Sequence, residues 1–138
     1  MMFRELITIR HARWESYTNE WGEPHREDGP ALQCIEPGRT EYMWYLHGEL
    51  HRIGGPAVVN QKVTQWWVNG QLHREDGPAL TFGNGSEEWW WKNLPHRDDG
   101  PAFIESDGSV RWFLMGDEFS SEEEWRRALP LYENKENF

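Results

Sequence analysis

The sequence has few of the features that mark a secreted, membrane-bound or disulfide-stabilised protein. It contains one cysteine, Cys34, which excludes an internal disulfide framework and indicates a reducing compartment. No apolar run approaches the ~20 residues that a membrane-spanning helix needs. Arg4 and Glu5 lie where a signal peptide would have its apolar region. These absences predict a cytoplasmic protein without membrane association.

The sequence also lacks the short motifs of common enzyme classes, including GxSxG, the P-loop, HExxH and GxGxxG. Cys34 lies in an apolar-flanked, strand-like run, where burial makes a thiol unreactive. Asp98 and Asp99 are adjacent turn residues, so their carboxyl groups should point apart rather than flank a scissile bond. We therefore predict no catalytic residue, no cofactor and no enzyme activity. The alternative is an enzyme. Its activity would have to be lost when one acidic residue or one histidine is replaced.

Aromatic residues and a tandem repeat are what the sequence has instead. It contains 10 Trp, 6 Phe and 4 Tyr, and each buried ring removes roughly 150–250 Å² from water, so few rings can form a core. The heptapeptide HREDGPA and its variants occur four times, with Gly-Pro steps 26, 22 and 23 residues apart. A period in this range indicates a repeat array. The copies are His25–Ala31, His51–Ala57, His73–Ala79 and His96–Ala102.

Each repeat is predicted to be a β-hairpin. A three-residue apolar run beginning with Trp precedes a two-residue turn, and Asn-Gly in this position is the strongest short hairpin signal. The HRxDGPA segment and a second apolar run follow, with proline at the start of the second strand, where no ladder donor is needed. The fold class predicted is all-β, an antiparallel β-hairpin repeat array (a meander) with a short C-terminal capping α-helix. The apolar runs begin at Trp44, Trp66, Trp89 and, in a partial fifth copy, Trp112.

The C-terminal segment is predicted to be a helix. Ser121 and Glu124 form a capping box, Trp125 and Leu129 give one apolar face, and Pro130 ends the helix. We predict a single domain over residues 1–138. Its parts are an N-terminal strand or cap at 1–19, four to five HRxDGPA repeats at 20–119, the capping helix at 120–130 and a tail at 131–138.

The combination of Trp-rich strand, Asn-Gly turn and HREDGPA resembles a family of tandem-repeat proteins that is frequent in bacteriophage and large DNA virus genomes and is similar to MORN repeats. The likeness covers about residues 20–125 and includes the closing SxEEW helix. It implies a β-hairpin array and a phage-encoded host-interaction protein, and it implies no activity. Two positions depart from the pattern: Ile53-Gly54 replaces the acidic pair of repeat two, and Phe119 replaces the histidine of the fifth copy.

Residues that recur in every copy meet the same environment each time, which predicts a structural role. We expect the aspartates to bond the turn backbone, the arginines to pair with acids, and the histidines to pack on Trp rings while donating one N–H. Equivalent histidines two strands apart are about 10 Å from each other, too far to share a zinc ion, so no metal site is predicted. The recurring residues are His25, Arg26, Asp28, His51, Arg52, His73, Arg74, Asp76, His96, Arg97 and Asp99.

The apolar runs place rings on both faces of a strand, because alternate residues share a face. A sheet with one core needs only one apolar face. Either the HRxDGP loops cover the second aromatic stripe, or it is exposed as a binding ladder for a protein, a sugar or a base. This second stripe consists of Tyr45, Trp67, Trp90 and Phe113.

The net charge of −10 is concentrated in the C-terminal half. Residues 1–74 hold 9 acidic and 8 basic side chains, whereas residues 75–138 hold 15 acidic and 6 basic ones. Such a surface repels nucleic acid and anionic lipid and attracts a basic partner, so direct nucleic-acid binding is not expected. The alternative is that the acidic half only secures solubility.

The leading functional prediction is a non-enzymatic binding protein, phage- or virus-encoded, that binds and inhibits a host factor such as a defence or nucleic-acid-binding protein. Its partner would be a host protein with a basic surface. The alternative is a module that sequesters a nucleotide or sugar on the aromatic ladder. Contacts to a protein partner are predicted where the repeats differ, at Ile53, Lys62, Glu87, Glu88, Asp117 and Glu118.

Overall fold

The computed structural model of the chain describes residues 1–133. These residues form short antiparallel strands and one short helix near the C-terminus, which confirms the predicted all-β meander with a C-terminal helix. Residues 134–138, part of the predicted tail, lie outside the described residues. The chain divides into two compact units, unit 1 at Met1–Gln71 and unit 2 beginning at Leu72. Whether the whole chain acts as the single predicted domain stays a prediction.

Unit 1 is built on a six-stranded antiparallel sheet with a two-stranded arm. Its strands are β1 (Phe3–Ile9), β2 (Ala12–Thr18), β3 (Leu32–Cys34), β4 (Tyr42–Met43), β5 (Tyr45–Leu46), β6 (Glu49–Leu50), β7 (Val58–Val59), β8 (Val63–Gln65) and β9 (Trp67–Val68), and β10 (Gln71–Leu72) spans the unit boundary. The order in the sheet is β1-β2-β3-β4-β7-β8, and β5 pairs with β6 as the arm.

Unit 2 repeats this plan and ends in the helix. Its elements are β11 (Leu80–Phe82), β12 (Glu87–Glu88), β13 (Trp90–Trp91), β14 (Leu94–Pro95), β15 (Phe103–Ile104), β16 (Val110–Leu114), β17 (Asp117–Phe119), helix α1 (Glu122–Ala128) and a 3₁₀ turn at Leu129–Tyr132. The sheet order is β11-β12-β15-β16-β17, and β13 pairs with β14 as an arm.

The two-residue turns occur where the repeat predicts them. Both central residues have positive φ, the backbone that a type I′ hairpin turn requires. Asn and Gly tolerate this backbone, but the turn at Met115 (φ 45°) shows that the repeat imposes it on other residues as well. The four turns are His47-Gly48, Asn69-Gly70, Lys92-Asn93 and Met115-Gly116.

The N-terminal segment differs from its prediction as one leading strand, because it forms a hairpin. β1 pairs with β2 over seven residues, and the chain reverses at Arg10-His11, whose φ angles are 48° and 66°. Arg10 and His11 are not among the Asn, Asp and Gly residues that favour such a turn, so the sequence gives no turn signal at this position. β1 lies at the edge of the sheet, and its Leu6 side chain is exposed.

The Trp-led apolar runs are not single strands in repeats two to four, which corrects the prediction. In repeat two the sheet strand β4 ends at Met43 and the arm strand β5 begins at Tyr45, with Trp44 between them. On the side of the sheet, the Trp44 N–H donates to the Ala57 carbonyl. On the side of the arm, the Trp44 carbonyl accepts from the His51 N–H. The tryptophan is therefore the point where the chain leaves the sheet. Only the fifth run, in β16, continues as one strand among residues 1–133.

Helix α1 covers one face of β16, as a terminal cap should. Ser121 Oγ accepts from the Glu124 N–H, which confirms the predicted N-cap, while the Glu124 carboxylate bonds Ser120 rather than closing the reciprocal box on Ser121. Trp125, 2% exposed, packs against Trp112 at a ring-centroid distance of 4.8 Å. The α-helix ends at Ala128, and Pro130 lies inside the 3₁₀ turn that follows.

The core is assembled from rings and from small residues. In unit 2, Phe103 and Phe113 pack together with their centroids 4.8 Å apart, and Trp90 borders this cluster. The alanine that ends each HRxDGPA segment is at most 1% exposed, because it lies where the backbone returns to the sheet. Among residues 1–133, no helix is long and apolar enough to cross a bilayer.

Candidate functional site

The recurring arginines fold back onto their own Gly-Pro corners. In repeat four the Arg97 guanidinium lies 4.0 Å from the Trp89 ring centroid, and Nε donates to Asp99 at 2.7 Å. Its Nη1 donates to the Pro101 carbonyl at 3.1 Å. Arg26, Arg52 and Arg74 make the same bond to the prolines of their own repeats. Pairing of the arginines with acids is thus observed, but the aspartates accept from arginine rather than from the turn backbone as predicted.

Repeat two shows how the pattern accommodates the loss of its acidic pair. Because Gly54 stands where the other repeats have aspartate, Arg52 has no such partner and donates to the Tyr42 hydroxyl at 3.4 Å instead. Its guanidinium still covers the Trp44 ring at 4.2 Å. Ile53, a predicted contact residue, is 74% exposed on this loop.

The glycine of each Gly-Pro step is required by the arginine. A Cβ on Gly55 would lie 2.6 Å from the Arg52 guanidinium carbon, closer than real contacts allow. We predict that Gly55→Ala lowers the free energy of unfolding by about 1–2 kcal/mol, since the guanidinium must leave the Trp44 ring and the Pro56 carbonyl. Urea unfolding of Gly55→Ala, Arg52→Ala and the double variant measures this as a double-mutant cycle.

The cycle should be strongly non-additive, because removing Arg52 removes the atoms that the new methyl group meets. Gly55→Ala in the Arg52→Ala background is expected to cost less than about 0.5 kcal/mol. Equal costs of Gly55→Ala in both backgrounds would contradict the packing explanation.

Each recurring histidine accepts at Nδ1 a hydrogen bond from the next repeat, which the sequence did not predict. The predicted donation of one N–H stays a prediction. His25 Nδ1 accepts from the His47 N–H at 2.9 Å, and His96 Nδ1 accepts from the Met115 N–H at 2.9 Å. His51 and His73 bond Asn69 and Lys92 in the same way. The bonded residue is always the first positive-φ residue of a hairpin turn, so each histidine fixes the turn of the following copy.

This hydrogen bond gives the Nδ1 atom of each recurring histidine a structural role. An Nδ1 lone pair that accepts a backbone N–H cannot at the same time bind a metal ion or take a proton from a substrate. The rings pack as expected in part: His73 lies 4.5 Å from Trp91, while His25 packs on the His47 ring. Residues 1–133 contain no group of three His, Cys, Asp or Glu side chains placed to hold a metal ion.

The second aromatic stripe is covered to different degrees. Phe113 is 5% exposed and belongs to the core, whereas Tyr45, Trp67 and Trp90 are half-buried. The polar edge of each half-buried ring contacts the side chain two residues earlier: Gln65 accepts from Trp67 Nε1 at 2.7 Å, and Glu88 accepts from Trp90 Nε1 at 2.9 Å. The Tyr45 hydroxyl reaches Met43 Sδ at 3.6 Å, and burial raises the pKa of Tyr45.

The acidic surface lies in unit 2. Residues 72–133 contain 14 acidic and 6 basic side chains. Each of the five arginines in this part of the chain is ion-paired with one of these acids, at Asp76, Asp99, Glu118, Glu122 and Glu123. Acidic side chains therefore outnumber basic ones by eight in the described part of unit 2.

The four predicted acidic contacts fall on two faces of the unit 2 sheet. Glu88 pairs with Phe103, which pairs with Arg111, so Glu88 and Arg111 share a face. Glu118 lies on this face too, and its bidentate hydrogen bond from Arg111 lowers the pKa of the Glu118 carboxyl. Glu87 and Asp117 lie on the opposite face, where the Tyr132 hydroxyl donates to Asp117.

Unit 1 contains a cleft that the sequence analysis did not predict. It has a volume of about 460 Å³ and lies between the β1–β2 turn, strands β4 and β7, and the β7–β8 turn. Trp14, Met43 and Val58, which share one face of the sheet, contribute ring and aliphatic surface to it. Lys62, predicted only as a protein contact, lines this cleft.

No protein-family model, curated protein or solved structure matches the chain.

Proposed function

We propose that this chain is a non-enzymatic binding protein that engages a basic protein partner through the acidic surface of unit 2. The partner implied by the tandem-repeat resemblance is a host factor, inhibited by being bound. Nucleic-acid-binding proteins fit this role, because their phosphate-binding cations would meet carboxylates instead.

The ion pairing of the arginines in unit 2 carries this proposal. An ion pair carries no net charge toward an approaching partner, so only the carboxylates in excess of the cations contribute. Here all five arginines of residues 72–133 are held by intramolecular ion pairs, and the sixth cation, Lys92, lies 5.9 Å from the Trp91 ring. The remaining carboxylates, including Glu87 and Glu105, therefore give this surface a net negative potential.

The aromatic ladder gives less support to ligand binding. A ligand that stacks on a ladder needs several exposed ring faces in a row. Phe113 is in the core, and the other three rings are half-buried with their polar edges already contacted by neighbouring side chains. We therefore retain the protein-binding function for unit 2.

The test is the salt dependence of partner binding. The chain is used to capture proteins from a host lysate, and the dissociation constant of a captured basic protein is then measured from about 50 to 300 mM salt. Binding that depends on the acidic surface should weaken about tenfold or more over this range, because salt screens exposed charges. Salt-insensitive binding would contradict the proposal.

Two charge-matched variants locate the surface. Glu87→Gln with Glu88→Gln and Glu105→Gln removes three charges from unit 2, and glutamine at position 88 can still accept from the Trp90 indole. Glu5→Gln with Glu20→Gln and Glu27→Gln removes three exposed charges from unit 1. Only the first variant should weaken binding. Equal weakening by both would indicate that net charge alone, as in the solubility alternative, explains the effect.

A further inference from the structure

The cleft of unit 1 has the volume of a small-molecule site. Its volume of about 460 Å³ falls within the roughly 300–1,000 Å³ of ligand pockets. Its lining comes from three separate stretches of the chain, at residues 9–14, 39–43 and 58–62. Strands β4 and β7 form part of the lining and pair directly, Tyr42 with Val59 and Met43 with Val58.

The lining offers flat apolar surface of the kind that binds a planar ring. Trp14 is half-buried, so part of its ring remains accessible in the cleft. The strand register places the Tyr42 side chain on the opposite face of the sheet, where its hydroxyl accepts from Arg52. The Arg39 guanidinium lies 5.8 Å from the Trp14 ring centroid and is held there by Glu41 at 2.6 Å. Aromatic rings and a guanidinium plane are the surfaces on which protein sites stack bases.

The distribution of cations in unit 1 indicates an anionic ligand. Four of its seven cations are in ion pairs, and Arg52 covers Trp44 and donates to the Pro56 carbonyl. Arg10 and Lys62 alone make neither an ion pair nor a ring contact with any residue from 1 to 133. Both line the cleft. The two cations of unit 1 that are left without such partners therefore occur at the same cleft.

The backbone of both cationic residues lies in a tight turn. Arg10 is in the tight β1–β2 turn, with φ of 48°. Lys62 is in the β7–β8 turn, where Asn60 Oδ1 accepts from the N–H groups of Lys62 and Val63 at 2.9 and 3.0 Å. The side chains are exposed while their backbones are ordered by hydrogen-bonded turns, so they can close on an anion without reorganising the sheet.

We propose that this cleft binds a phosphorylated planar ligand of the mononucleotide class. The ring would lie against Trp14, beside the Arg39 guanidinium, and the phosphate would be bound by Arg10 and Lys62. Charge-assisted hydrogen bonds to phosphate are the strong contacts in such a site. The net charge of the chain opposes a long polyanion, which favours a free mononucleotide over a nucleic-acid strand.

Calorimetric titration with AMP and UMP tests the proposal. Saturable binding with one site per chain is expected, and adenosine or inorganic phosphate alone should bind about tenfold more weakly or worse, because each supplies half of the contacts. The proposal would be overturned if neither AMP nor UMP showed saturable binding. A single-stranded ten-nucleotide DNA that bound more tightly than AMP would overturn the assignment to mononucleotides.

Variants show whether the cleft is the site. Arg10→Gln with Lys62→Gln should raise the dissociation constant of AMP at least about tenfold. Arg4→Gln with Lys92→Gln changes the net charge equally at exposed positions outside the cleft. This control variant should leave the dissociation constant of AMP within about twofold of the unsubstituted protein's value. Equal weakening by the two variants would overturn the proposal. Circular dichroism of each variant checks folding. Arg10→Gln with Lys62→Gln should leave the binding of a basic protein through unit 2 unaffected, which separates this inference from the proposed function.

Discussion

Replacing Trp125 with alanine is expected to lower the free energy of unfolding by about 3–5 kcal/mol, the range for a fully buried aromatic residue. Trp125 is the only buried residue of helix α1. Its ring packs on Trp112, and its Nε1 donates to the Arg97 carbonyl at 3.3 Å. Urea unfolding measures the loss, and hydrogen exchange should show that the amides of β16 become less protected.

Two further variants separate the causes of this loss. Trp125→Phe keeps a ring against Trp112 but removes the donor to the Arg97 carbonyl, so it should cost less than the alanine variant. Leu131→Ala changes a side chain that is 79% exposed in the adjoining 3₁₀ turn and should cost about 0.5 kcal/mol or less. If Trp125→Ala cost no more than Leu131→Ala, the helix would not be the cap that covers β16.

The fold class could be predicted because the relevant signals are local and repeated. A turn such as Asn69-Gly70 needs positive φ at two adjacent residues, and this pair of residue types states that requirement directly. Met115 carries no such signal, and only its alignment with the other copies predicts the turn. The N-cap at Ser121 is equally local, since it depends on atoms three residues apart.

The division of each Trp-led run between a sheet strand and an arm strand could not be predicted from its amino-acid sequence. Alternation assigns faces only while a strand continues, and a run of three apolar residues contains no sign of where pairing changes. At Trp44 the change is made by hydrogen bonds to Ala57 and His51, residues thirteen and seven positions along the chain. The core alanines were missed for a related reason, since a small side chain gives no hydrophobic signal of its own burial.

The cleft was missed because its residues are distant in the sequence and lie outside the repeated motif. Because repeated residues are expected to be structural, contacts are predicted at positions where the repeats differ, and Lys62 is one of these positions. Arg10 belongs to a hairpin that the sequence did not predict. What identifies the pair is their shared lack of partners, and only coordinates show which cations already have one.

The histidine acceptor bond explains why the second largest effect is expected at His96. The His96 side chain is 5% exposed and Met115 is 7% exposed, so water cannot replace the bond between Nδ1 and the Met115 N–H. His96→Leu leaves this N–H buried without an acceptor and should lower the free energy of unfolding by about 1–3 kcal/mol. Urea unfolding and hydrogen exchange at the Met115 amide measure the two consequences.

Two comparisons test whether the acceptor, rather than the ring, is responsible. His96→Asn places an amide oxygen close to the position of Nδ1 and should recover much of the stability that His96→Leu loses. His51→Leu removes the equivalent bond to the Asn69 N–H, but Asn69 is exposed, so water can bond the freed amide and the cost should be smaller. If His96→Asn were as destabilising as His96→Leu, ring packing against Trp91 would be the main contribution and the acceptor bond a minor one.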